Sequence, residues 1–298
     1  MEFKKYQIKG SMAEDVSDTH EVVDTMNLLS GNPLSSLLNI PPIQEGFRDG
    51  KYIHVSDLIG KCPRAIAIHY VHNRQLYGMT MNHQLGFTFS QGTAIAKYVE
   101  DHVIRTAPEH IYGGWQCACK KTEVLDKTYD QVSELKCKTC GTGLYRYKEL
   151  YLTNDEYMIS GSIDITLKFG DLFYVNELKS LKKDGDDGFV ALQSAKPVHR
   201  LQALFYVWLM IKSGRQVSRD FTVFYINKAY GFKMDDQRKE YKIRFSDYSS
   251  TLDGYLQDAK AIKIAREGGK LPARPCEDLY CSQAKKCELA PICFNLEK

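Results

Sequence analysis

"SIDITLKFGDLFYVNELKS", residues 162–180, reads as two apolar strands joined by a Gly-Asp turn, yet it sets Asp164, Glu177 and Lys179 where a sheet normally takes valine or leucine. Side chains alternate along an extended strand, so Glu177 and Lys179 point to one face and Leu178 to the other. A short hairpin brings Asp164, on the preceding strand, beside them. Two carboxylates in one pocket repel each other unless a cation lies between them, and an all-oxygen ligand set suits Mg²⁺ or Mn²⁺. Such a cation polarises a phosphodiester and acidifies a bound water, while a neighbouring ammonium orients that water or stabilises developing charge. Alone, Glu-x-Lys is most often a solvated cross-strand pair, so its context decides.

Further strands are expected at "YKELYL", "YMISGSIDITLKF", "DFTVFYINK" and "KEYKIRFS", each alternating or rich in β-branched residues. Helices are expected at 90–105, where Ile95, Tyr98, Val99 and Val103 keep helical spacing, at 199–213, apolar almost all round, and over "DYSSTLDGYLQDAKAIKIAREGG". In "YIHVSDLIGKCPRAIAIHYVH" Pro63 interrupts an otherwise helical pattern. The order of helix, strands, helix and strand predicts an α/β fold with a mixed central sheet. Residues 1–50 are polar and then Ser/Pro/Leu-mixed without a sustained period, so they read as a partly ordered extension to a main domain over 51–298.

Inside the helix at 199–213, Gln202 and Tyr206 stand one turn apart on one face, and polar groups in so apolar a helix need partners. Together, Gly161-Ser-Ile-Asp164, Glu177-Leu-Lys179 and Gln202-Ala-Leu-Phe-Tyr206 resemble the GxxD, ExK and QxxxY elements of the PD-(D/E)xK nuclease superfamily, in particular its RecB-like branch of CRISPR-adaptation and phage exonucleases. "CPR" at 62–64 resembles the start of that branch. The resemblance implies a mixed central sheet flanked by helices and a deoxyribonuclease. Asp164 and Glu177 would then hold the divalent cation, Lys179 would serve the attacking water, and Gln202 with Tyr206 would contact DNA or steady the site. The branch carries a metal-binding His in "GTAIH", whereas this chain has Ala96 there; Glu100, four residues on, is the candidate substitute ligand, and His102 and His199 are weaker ones.

The nine cysteines fall into groups of four, four and one, which points to metal sites rather than a disulfide framework. Cys117-x-Cys119 and Cys137-x2-Cys140, seventeen residues apart, approximate the two knuckles of a zinc ribbon within a polar insertion at 113–143, and Lys120, Lys121, Lys136 and Lys138 could present it to DNA. The C-terminal set at 272–298 runs Cys276-x4-Cys281-x5-Cys287-x5-Cys293. By resemblance, a [4Fe–4S] cluster would join Cys62 to Cys281, Cys287 and Cys293, with Cys276 spare or alternative to Cys281. Thiolate tetrads bind zinc as readily.

A net charge of +3 is too mild to imply a polyanion partner by itself, so DNA affinity must come from local clusters such as Lys182, Lys183, Lys196 and Arg200. No apolar run approaches a bilayer span and no secretory pattern opens the chain, so a cytoplasmic protein is expected. The expected partners are DNA, single-stranded or with a free end, and recombination or replication proteins. The rival readings are a non-catalytic nucleic-acid-binding or scaffold protein with a degenerate site, and a structure-specific endonuclease.

Overall fold

The strand that carries Glu177 lies near the middle of a large sheet. The computed structural model describes residues 50–71, 83–186, 188–229, 237–287 and 289–296, so the expected extension at 1–50 lies, apart from Gly50, outside the described residues. The chain enters through β1 (Ile53–His54), α1 (Val55–Gly60) and α2 (Pro63–Val71), the last opening on the proline that sequence had placed as a break. Helix α3 (His83–Thr106) starts seven residues before its expected beginning at 90. Then follow β2 (Ile111–Cys117), β3 (Glu123–Thr128), α4 (Tyr129–Ser133), β4 (Tyr145–Lys148), β5 (Leu150–Asn154), β6 (Ile159–Ile163), β7 (Ile165–Phe169) and β8 (Leu172–Leu181). Helix α5 (Pro197–Lys212), β9 (Gln216–Val217), β10 (Asp220–Asn227), β11 (Arg238–Arg244), α6 (Ser249–Arg266) and α7 (Ala290–Asn295) complete the order.

Two sheets result. The larger runs β11-β10-β8-β7-β2-β3, with β4 also on β2 and β9 on β8; the smaller runs β1-β6-β5. Strand β8 pairs parallel with β10 and antiparallel with β7, so the sheet is mixed, as the alternation of strands and helices predicts. The crossover from β8 to β10 is α5, which packs against β5, β6, β8, β9 and β10. Its residues Ala203–Met210 are all buried, which is why that stretch is apolar almost all round.

Two expectations are refined. The segment "YMISGSIDITLKF" is two strands, not one, broken at Asp164. There the Asp164 carboxylate accepts the backbone N–H of Leu178 at 2.8 Å, taking a place in the ladder that a main-chain carbonyl would otherwise fill, and the chain passes from the small sheet to the large one. The cysteine-bearing insertion is not core-poor: its first strand, β2, belongs to the large sheet, and Trp115 and Val132 pack with Ile111 and Tyr147 in a separate apolar cluster. The β7–β8 hairpin turns on Gly170-Asp171 with Gly170 at φ +59°, the left-handed position that glycine adopts without strain.

Candidate active site and metal centres

Register explains how the carboxylates meet. In the β7–β8 ladder Ile165 pairs with Asn176, so one step earlier Asp164 lies opposite Glu177. Glu177 is 0% exposed, and neither of its carboxylate oxygens has a hydrogen-bond donor among the described residues. Lys179 Nζ stands 2.5 Å from Glu177 Oε1 as a close charge contact rather than an aligned hydrogen bond. A buried carboxylate with unsatisfied lone pairs costs several kcal/mol unless protonated or given a cation, so the donor set fits a hard divalent ion.

The electrostatics agree. Burial, then the charge of Asp164, push the Glu177 carboxyl up to about 8, against the pull of Lys179. Burial also raises Asp164, opposed by Lys179 and by the Leu178 N–H. For Lys179, burial works toward neutrality, but the charges of Glu177 and Asp164 outweigh it and the net shift is upward. Lys179 is therefore an ammonium at neutral pH.

Helix α5 supplies the opposite wall. Gln202 Nε2 donates to Tyr206 Oη at 2.8 Å, and burial followed by the charge of Glu177 holds the Tyr206 phenol well above its ordinary value, so it stays neutral. The glycine of the GxxD element has a steric role: a Cβ on Gly161 would stand 2.6 Å from Tyr206 Cε1. His199, one turn earlier, meets Tyr225 Oη at 2.9 Å, while that oxygen accepts the Lys196 N–H at 2.8 Å. Burial, then Lys179 and Lys196, lower His199 to about 4, so its ring is neutral.

Helix α3 crosses β8, and a Cβ on Gly92 would lie 3.2 Å from Ser180 Oγ, which accounts for a glycine at this crossing. Ala96 and Glu100 follow on the same helix. Glu100 pairs with Lys97 at 3.3 Å, and burial raises its carboxyl, opposed by Lys97 and reinforced by Asp101 and Asp164. It is thus within electrostatic reach of the site. His102 is exposed and stacks on Tyr98. Of the basic cluster, Lys182 and Lys183 are exposed, whereas Arg200 Nη1 donates to Tyr248 Oη at 3.1 Å and its guanidinium lies over the Tyr248 ring.

One residue escaped the sequence reading. Burial, then Asp164 and Glu100, raise Glu149 to about 7, against Lys179; although solvent reaches its side chain, it is a fourth carboxylate at the site. A clue was readable: buried Tyr147 and buried Leu150 and Leu152 are out of phase by one residue, and Lys148-Glu149 marks the slip between β4 and β5.

The insertion cysteines form the one group among the described residues whose ligand atoms all lie within 4.8 Å of one another: Cys117, Cys119, Cys137 and Cys140. Cys117 and Cys140 Sγ are 3.4 Å apart, and Cys119 and Cys137 Sγ 3.7 Å. A tetrahedron of Zn–S bonds of about 2.3 Å has edges of roughly 3.8 Å, so the quartet fits a single tetrahedral ion. The residue after each knuckle is left-handed, Lys120 at φ +61° and Gly141 at φ +73°, and the Cys-x-Cys knuckle closes as well as the Cys-x2-Cys one. The Thr122 hydroxyl, set against burial, brings Cys137 down to about 5, and the Thr142 hydroxyl lowers Cys140, whereas Cys117, despite the Cys119 backbone, is pushed up to about 11 by burial and by Cys140, so the thiolate is favoured at Cys137 and Cys140.

The remaining thiols gather at the joined chain ends. Cys62, Cys276, Cys287 and Cys293 line one cavity, and Cys276 lies against Cys281 and near Cys62 and Cys287, so position does not single it out as spare. Arg64 of the "CPR" element is buried and donates from Nε to Cys293 Sγ at 3.2 Å and from Nη1 to Pro272 O at 2.7 Å, tying the first cysteine segment to the last. Among the described residues no three of these thiols come within 4.8 Å of one another, a looser array than the quartet.

No helix among the described residues is long and apolar enough to cross a membrane. No protein-family model and no curated protein matches the chain. Among solved structures it is similar to that of SSO0001, with 15% identity over 89% of this chain and 96% of the other and a TM-score of 0.36. It is also similar to the complex of LHK-Exo with dAMP, with 11% identity over 74% and 89% and a TM-score of 0.41. A second structure of LHK-Exo, an alkaline exonuclease from Laribacter hongkongensis, gives 9% identity over 73% and 89% and a TM-score of 0.38. Likenesses at this level assign no residue and no reaction. The fold itself is a mixed sheet flanked by helices that gathers Asp164, Glu177, Lys179, Gln202 and Tyr206, the arrangement that the sequence resemblance implies.

Proposed function

We propose that this chain is a divalent-metal-dependent DNA nuclease that works from strand ends. The observation that carries the reading is Glu177: a fully buried carboxylate without a hydrogen-bond donor, opposite Asp164 and against Lys179. Asp164 and Glu177 would hold Mg²⁺ or Mn²⁺, with Glu100 on α3 as a further carboxylate. The ion, when bound, lowers the pKa of a water and offsets charge on a phosphodiester. Lys179, kept protonated by its two carboxylate neighbours, donates from Nζ and so orients the attacking water and stabilises the charge that builds on the phosphate; it is not the general base. Leu178 N–H fixes the rotation of Asp164, and neutral Tyr206 with Gln202 closes the wall behind Glu177. Exposed Lys182 and Lys183, after β8, lie where a strand leaving the site could be met by positive charge. The Cys117–Cys140 quartet would carry structural Zn²⁺, and the chain-end thiols a [4Fe–4S] cluster.

The test uses end-labelled linear DNA and a covalently closed single-stranded circle, each with Mg²⁺ or Mn²⁺. The linear substrate is expected to shorten and the circle to survive, with Glu177→Ala and Lys179→Ala inactive. Cleavage of the circle would convert the reading to an endonuclease. A protein that binds DNA with metal present and never cuts it would end the enzymatic reading. Anaerobic purification and an absorption spectrum test the cluster: a colourless protein holding only zinc removes it and leaves the nuclease standing.

A further inference from the structure

The chain passes between the two sheets across a single residue twice among the described residues, at Glu149 between β4 and β5 and at Asp164 between β6 and β7. The neighbours of Asp164 on both sides follow from register. The β7–β8 ladder puts Glu177 opposite it, as described. In the β5–β6 ladder Leu150 pairs with Ile163, so one step further along that ladder Glu149 lies opposite Asp164 from the other side. Glu149, Asp164 and Glu177 thus form one cross-strand row. Directly opposed residues on neighbouring strands have Cβ atoms about 5 Å apart, within reach of each other's carboxylates.

The composition of the row is informative. A short aspartate lies between two longer glutamates; their oxygens do not all lie within 4.8 Å of one another, so the two longer side chains would have to swing in toward an ion held at Asp164. Asp164 Oδ2 is fixed by the Leu178 N–H at 2.8 Å, and both oxygens of the fully buried Glu177 lack donors. Three carboxylates face one local ammonium, Lys179. Like charges aligned across strands destabilise a sheet, so the row either keeps protons on its glutamates or takes positive charge beyond what Lys179 provides. A divalent ion supplies it in one place.

We infer that Glu149 is a third protein ligand of the divalent cation held by Asp164 and Glu177, an inference that rests on the nuclease reading above. Glu149 takes up the coordination that Ala96 on α3 cannot give, and it does so from the β4–β5 junction, where the chain passes from the large sheet to the small one, rather than from the helix. Closing the site thus requires both sheets.

The test is calorimetric titration of Mn²⁺ into the full chain without DNA, comparing the natural protein with Glu149→Gln, Glu149→Asp and Glu177→Gln, and with melting recorded before Mn²⁺ is added. Loss of a group that supports the ion is expected to weaken Mn²⁺ binding about tenfold or more in Glu149→Gln, with partial recovery in Glu149→Asp. Removing a repelled charge should leave the melting temperature without Mn²⁺ unchanged or raise it. Unaltered Mn²⁺ affinity in Glu149→Gln, with binding lost in Glu177→Gln, would overturn the inference and leave the nuclease reading intact. So would a lower melting temperature with unaltered Mn²⁺ affinity, which is the mark of a structural glutamate. If Glu177→Gln changes nothing either, the cation site itself fails, and the inference with it.

Discussion

On the proposed reading the carboxylate row and the cysteine quartet each hold a cation, but they are built in opposite ways. The quartet is local: its four sulfurs come from residues 117–140, already lie within 4.8 Å of one another, and are closed by two knuckle turns and two threonine hydroxyls. The row draws on the β4–β5 junction, the β6–β7 junction and β8, is backed by α5, and stays more widely spaced than the quartet. Soft thiolates in a short loop can find a tetrahedral ion with little help from the fold, whereas hard, repelling carboxylates need a rigid sheet to force them together. If the proposed nuclease reading holds, a site that must release product and turn over has reason to be held by the fold rather than by its ion.

The sharpest way to break this contrast is to remove one ligand from each site. Glu177→Ala should lower DNA cleavage on the order of 10³-fold, the size of several kcal/mol of transition-state stabilisation, while zinc content and melting behaviour are kept. Cys137→Ser should do the reverse: lost zinc, rapid proteolysis within 118–144, and cleavage largely retained, because Trp115 and Val132 still anchor the insertion to the large sheet. Metal analysis and a cleavage assay on both variants decide it, and a quartet variant that is as inactive as Glu177→Ala would show that the two sites are not independent.

A smaller effect is expected at the backing of the row. Gly161→Ala puts a methyl 2.6 Å from the Tyr206 ring, between a buried strand and a buried helix, and should cost about 1–3 kcal/mol in urea denaturation. Combining it with Tyr206→Leu should recover part of that loss, since the clash needs the ring; strict additivity of the two changes would place the cost elsewhere.

The smallest effect is a slope. Glu177 and Glu149 have folded-state values raised to about 8 and about 7, so their protonated forms are favoured by folding. That contribution is complete below the ordinary carboxylate range and fades as pH rises through those values. His199, lowered to about 4, acts oppositely, but only below its ordinary value of 6.5. Between about pH 6.5 and 8 stability without added Mg²⁺ should therefore fall as pH rises, and added Mg²⁺ should flatten the curve. A flat curve in its absence would mean that the carboxylates are already matched by protein charge.

Much of the site could be read from sequence because its parts obey short-range rules. Alternation placed Glu177 and Lys179 on one face, the Gly-Asp turn set the hairpin that returns Asp164 to them, and helical spacing put Gln202 and Tyr206 together. Glu149 escaped because its partner comes from a different ladder, and register across two sheets is set by tertiary packing, not by the pattern of either strand. Arg64 escaped likewise: nothing local links it to Cys293, 229 residues away.

By itself, then, the sequence determined the main helices and most strands of the large sheet, the hairpin and the two knuckles, and pointed to the ligand type of each candidate site, since periodicity, turn chemistry and ligand type act over a few residues. Only the tertiary structure decided that the strand breaks at Asp164, that the insertion grows from the main sheet, that the chain ends meet through Arg64, and that a third carboxylate stands in the row. Those depend on which distant strands pair and in what register, and that choice is made by burying α5 and its neighbours against both sheets at once.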